Sequence, residues 1–134
     1  MTKYKYHSTV AKNLPSIYEK GLLPSKRGQF GKGVYFSDTS EQALKWGREL
    51  RGDVQNKILR VKSSFLMKNG YVDYDDEQGI INKKIPSENI EILGNDGKWT
   101  TLNDYAHRYY RSFGISPDDI STSRGIGSTS TSRT

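Results

Sequence analysis

His7 is the first side chain here suited to chemistry. It sits in the alternating run YKYHS (4–8), at the end of what reads as the first strand and just ahead of a short helix with a glycine stop. A neutral imidazole donates through one ring nitrogen and accepts through the other, so at a strand end it can hold a hydroxyl group. The acidic candidates follow in NGYVDYDDEQG (69–79), where Asp73 and Asp75 share one face if the run is extended, and in SENIEI (87–92), which carries Glu88 and Glu91. A carboxylate near a developing positive charge stabilises it. The basic, glycine-rich stretch PSKRGQFGKG (24–33) offers Lys26, Arg27 and backbone amides to an anion. There is no cysteine and only one further histidine. Disulfides, thiolate zinc sites and cysteine nucleophiles are thereby excluded, and no metal is expected.

These groups need elements to hold them. NLPSIYEKG reads as a helix capped by Asn13, with Pro15 in its first turn and Gly21 as its stop. GVYFS (33–37) is a strand that puts Tyr35 and Phe36 on opposite faces. DTSEQALKWGREL is a helix in which Thr39 and Gln42 form a capping-box pattern. NKILRVK (56–62) and ENIEIL (88–93) are strands, and residues 69–80 read as strand, loop and strand. GNDGKW is a hairpin-type turn, and Leu102, Tyr105, Ala106 and Tyr109 fall at helical spacing. This order lacks regular βαβ alternation and indicates an α+β fold. We expect one domain over residues 1–112, followed by a flexible Ser/Thr/Gly/Arg-rich tail over 113–134.

Net charge is +6 but unevenly spread. Residues 1–68 carry 14 Lys/Arg against 5 Asp/Glu, whereas 69–100 carry 3 against 7. A basic first half suits a phosphate-rich partner, a dinucleotide or a nucleic acid. No stretch is long and apolar enough to span a membrane, and MTKYKYHST lacks the apolar centre of a secretory signal. A reducing, cytoplasmic setting is expected.

Read together, YHST, NLPSIYEKGLLP, GVYFS with its Ala/Leu helix, ILRVK and IPSENIEIL resemble the ADP-ribosyltransferase core. The likeness covers roughly residues 4–105 and is nearest to small bacterial and phage-type members, in which a strand-borne His-x-Thr precedes a helix ending in Gly-Leu. It implies a split β-sandwich with two to three short helices, NAD as substrate, and cleavage of the nicotinamide–ribose bond through an oxocarbenium-like state. The family's ribose-holding histidine carries over to His7. Ser8 stands where the family usually has glycine, its backbone gripping the carboxamide, and Thr9 matches the third position. The aromatic clamp on nicotinamide carries over to Tyr35. Many members use a late glutamate, while the rifampicin-modifying transferases use an aspartate after the strand corresponding to ILRVK. That ranks Asp73 and Asp75 first, with Glu88 and Glu91 as alternatives. Lys26 and Arg27 would cradle the pyrophosphate.

The resemblance therefore implies an NAD-dependent mono-ADP-ribosyltransferase, a toxin or effector, with a nucleic-acid acceptor favoured over protein or a rifamycin-type drug. RNA 2′-phosphotransferases share the YHGT…SI…GL pattern and also consume NAD. They carry an N-terminal basic lobe, whereas here the core begins at residue 4, which counts against that reading. An inactive core serving as a binding module is the remaining alternative.

Overall fold

The structure is a computed structural model that describes residues 3–26, 31–52, 55–75 and 77–109. Seven strands form one antiparallel sheet: β1 (Tyr4–Val10), β2 (Val34–Ser37), β3 (Asn56–Lys62), β4 (Val72–Asp75), β5 (Gln78–Ile81), β6 (Glu91–Leu93) and β7 (Trp99–Thr101). Among the described residues four α-helices accompany them: α1 (Leu14–Lys20), α2 (Ser40–Arg51), α3 (Ser63–Lys68) and α4 (Leu102–Arg108). The fold is α+β, as expected, and α3 adds a short helix to those read from the sequence.

Strand order β4-β5-β2-β1-β3-β6-β7 puts the first strand at the centre. β1 pairs with β3 along its whole length, from Tyr4↔Lys62 to Val10↔Asn56, but meets β2 at the single pair Tyr6↔Ser37. The sheet is therefore split between β1 and β2, leaving β4-β5-β2 on one side and β1-β3-β6-β7 on the other. Alternation explains which face is buried. Leu59, Val61 and Ile92 are almost fully buried, and they join Leu14 and Ile17 of α1 and Leu102 and Ala106 of α4 in one apolar core. The opposite face of β1 packs against α2 around Gly47, which sits over Ser8.

Several sequence expectations shift in register. β1 runs on to Val10 because β3 keeps pairing with it, so His7 lies mid-strand, at the point where β2 departs. α3 was not expected. Its six residues span less than two turns and have no side-chain N-cap, yet Leu66 is fully buried. The first half of ENIEIL turns in a 3-10 helix over Ser87–Asn89, leaving only Glu91–Leu93 as strand. The α2 cap is as expected: Thr39 Oγ1 accepts from the Gln42 amide at 3.1 Å. α1 ends at Gly21, whose φ of 82° is a conformation only glycine adopts freely, and its amide donates to Ile17 O. The tail expected over 113–134 lies outside the described residues. Among the described residues no helix is long and apolar enough to cross a membrane.

Candidate functional site

Where β1 and β2 part, a side chain takes over from the backbone ladder. Past Tyr6↔Ser37 the His7 imidazole bridges the gap, with Nδ1 2.7 Å from the carbonyl oxygen of Tyr35. A carbonyl can only accept, so Nδ1 donates and carries the proton. Burial pushes the His7 pKa below its ordinary value and the Arg51 charge pushes the same way, against the opposing hydrogen bond to Tyr35. The ring is thus neutral at pH 7, and Nε2 keeps a lone pair able to accept a hydroxyl proton. Phe36 braces the ring, their centroids 5.6 Å apart.

A cavity of about 630 Å³ follows the split, walled by α1 on one side and α2 on the other. His7, Ser8, Thr9 and Tyr35 all line it, so four sequence-derived candidates come together. The Tyr35 hydroxyl donates to Gly31 O at 2.5 Å, and its ring meets that of Tyr74 nearly at right angles, centroids 6.0 Å apart. Tyr74 in turn donates to Gln78 Oε1 at 2.9 Å. Gln78 opens β5, pairs with Ser37 and is 5% exposed, so its carboxamide forms part of the cavity lining.

The α2 wall presents Ala43, Trp46, Gly47, Leu50 and Arg51, which fall at i, i+3, i+4, i+7 and i+8 on one helical face. Trp46 Nε1 is buried with no acceptor among the described residues. A buried donor left unpaired costs roughly 1–3 kcal/mol, which a bound acceptor would relieve. Arg51 is held from two sides: Nη2 donates to Ser8 Oγ at 2.9 Å and Nε to Asn56 Oδ1 at 3.2 Å. Both partners are neutral, so the guanidinium keeps its full charge beside His7, and burial lowers its pKa. Leu23 and Leu50, 53% and 69% exposed, form an apolar rim.

The acidic candidates lie elsewhere. Asp73 is exposed on edge strand β4, paired with Gly79, on the face opposite Val72 and Tyr74. Asp75 pairs with Gln78 across a bulge, and its side chain is outside the description. Glu88 is exposed in the 3-10 turn. Glu91, the other alternative, lies on inner strand β6 and accepts from Arg60 Nε at 2.7 Å. Asp38 is neutralised by Lys5 at 2.5 Å. None of the described side chains lining the cavity is a carboxylate. Lys26 is exposed just after the Ser25↔Gly33 bridge, and Arg27 lies outside the described residues. Among the described residues no cluster of three metal-ligating groups occurs.

No family model matches the chain. Over 92 residues it is 30% identical to a protein from Thermococcus kodakarensis named a probable RNA 2′-phosphotransferase. That match takes in 68% of this chain and 48% of the relative, so the chain spans about half the length of the curated relative it matches.

Arg51, Gln78, Trp46 and Tyr74 line the cavity and were not singled out by sequence reasoning. The spacing of Ala43, Trp46 and Leu50 on one helical face was a usable signal for Trp46. Nothing in the sequence singled out Gln78, because it follows an acidic run that drew attention to its neighbours.

Proposed function

We propose that this protein cleaves the nicotinamide–ribose bond of NAD and transfers the ADP-ribosyl group to an oxygen of a nucleic acid. The observation that carries this reading is the neutral His7 bridging the split sheet beside Tyr35 in a cavity large enough for a dinucleotide's reacting end. In it, His7 Nε2 accepts from a ribose hydroxyl. Tyr35 and Trp46 offer aromatic surface to the nicotinamide ring. Ser8 and Thr9 line the floor. The C–N bond breaks, nicotinamide leaves with the bonding pair as a neutral ring, and the acceptor oxygen forms the new bond to the same ribose carbon, a hydroxyl acceptor giving up its proton to water and an ionised phosphate giving up none.

A second reading, that the acceptor is a 2′-phosphate on RNA, is favoured by two observations. One is the likeness to the probable RNA 2′-phosphotransferase. The other is the composition of the cavity. A hydroxyl acceptor must lose a proton to a base, and none of the described side chains lining the cavity is a carboxylate. A phosphate arrives already ionised and needs no base. Arg51 supplies a charged fork for it. These observations speak for the phosphotransferase alternative that the sequence alone weighed against.

The test is nicotinamide release from NAD by purified protein, with single-stranded DNA, plain RNA, RNA bearing one internal 2′-phosphate, lysate protein and a rifamycin added in turn. Release that needs His7 and rises only with 2′-phosphorylated RNA supports the second reading, with ADP-ribose joined to the 2′-phosphate as its product signature. A rise with plain RNA or DNA supports the broader one. No release and no shift in melting temperature with NAD would leave an inactive binding module.

A further inference from the structure

Beyond the cleft, the part of the β1–β3–β6–β7 face that lies past α2 carries a cluster that the chemistry above does not use. Tyr6 faces Arg60 across β1 and β3, and Arg60 faces Glu91 across β3 and β6. Arg60 is stacked against two rings: its guanidinium carbon lies 3.8 Å from the Tyr4 centroid and 4.2 Å from that of Trp99. Trp99 also meets Tyr6, centroids 5.7 Å apart and planes tilted by 54°. All five side chains are half-buried, and exposed Lys3 and Lys62 flank them at the Tyr4 end.

Two features distinguish this cluster from a simple cover for the sheet. Arg60 gives only its Nε to Glu91, while ring stacking fixes the plane of the guanidinium. Its terminal amino groups are therefore oriented in advance, without a described protein acceptor, in the geometry that suits phosphate. Tyr6 is the second feature, because it also lines the catalytic cavity. Tyr4 lies about 7 Å further along β1 at strand rise. The row of rings and cations thus begins at the cleft and leads away from it.

We propose that this face docks single-stranded nucleic acid and feeds the acceptor strand into the cleft, a role that rests on the nucleic-acid acceptor reading above. Aromatic rings accept bases of any sequence by stacking, and fixed cations beside them track the phosphates. A duplex hides its base faces and gains nothing from the rings. The basic first half of the chain matches the charge of that partner.

The experiment is fluorescence anisotropy of a labelled single-stranded RNA without NAD, using full-length wild type, Trp99→Ala, Arg60→Lys and Lys62→Glu, each checked by circular dichroism. Trp99→Ala should weaken binding at least ~5-fold, the low end of one base-on-aromatic stack. Arg60→Lys keeps the charge but loses the planar fork and should weaken binding several-fold, which guards against a Trp99 variant that misfolds. Lys62→Glu should flatten the salt dependence. Wild type should prefer the single strand to the duplex. Unchanged affinity in folded Arg60→Lys and Lys62→Glu, or equal affinity for duplex, overturns the proposal. Nicotinamide release is measured in parallel. A chain that binds single strands through these residues but never consumes NAD refutes the catalytic reading and leaves the docking face standing. A chain that consumes NAD with RNA while the variants bind normally does the opposite.

Discussion

Gly47→Ala is the substitution whose outcome the structure constrains most tightly. In the middle of an exposed helix, glycine to alanine gains about 1 kcal/mol. In α2 the new methyl would fall well inside the contact radius of Ser8 Oγ, with Arg51 Nη2 at 2.9 Å and Asn56 Oδ1 at 3.1 Å. The Ser8 hydroxyl has to rotate away, and Arg51 loses one of its two anchors. Overpacking of this kind costs about 1–3 kcal/mol. A hydrogen bond from a charged donor adds about 1 kcal/mol once solvent at this half-buried group is allowed for. The expected net is therefore a loss of about 1–3 kcal/mol in place of the gain. Ser8→Gly removes the atom being struck, so in that background Gly47→Ala should turn neutral or stabilising, with a coupling of at least about 1 kcal/mol. A double-mutant cycle by urea denaturation measures this directly. Gly47→Ala that stabilises the otherwise wild-type chain, or a cycle additive to within about 0.5 kcal/mol, would refute the argument that this glycine exists to admit Ser8 and Arg51.

The other predictions concern the cleft and the core. His7→Ala should lower nicotinamide release about 100-fold or more while leaving the fold intact by circular dichroism. His7 also gives a pH signature: its folded pKa is depressed, so below about pH 6.5 the unfolded chain binds a proton that the folded one refuses. Stability should then fall as pH drops below 6.5, by up to about 1.4 kcal/mol per pH unit, and stay flat above it on this account. Urea titrations of wild type and His7→Gln at pH 5.5 to 8 should differ only on the acid side. Asp73→Asn should leave nicotinamide release within about twofold, since the wild-type carboxylate sits on the far face of β4; a loss as large as that of His7→Ala would restore Asp73 to the site. Leu59→Ala, fully buried on β3, should cost about 2–5 kcal/mol in urea denaturation.

Much was legible in the chain itself because it depends on local spacing. The strand over NKILRVK, the Thr39 cap, the Gly21 stop and the helical stripe of Leu102, Tyr105 and Ala106 are each fixed by the residues of one element and the chemistry of its ends. His7 and Tyr35 were legible for a related reason: motif order along the chain brought them out, and the fold sets them 2.7 Å apart through ring and carbonyl. What sequence could not supply is whatever depends on pairing between distant strands. The one-pair contact of β1 with β2 opens the cleft, the β2–β5 register brings Gln78 into it, and the antiparallel alternation turns Asp73 away. Arg51 and Ser8 are 43 residues apart and meet only because Gly47 lets α2 approach β1. Strand register and helix approach are set by the sum of the core's contacts, so the side chains they bring together leave no local mark.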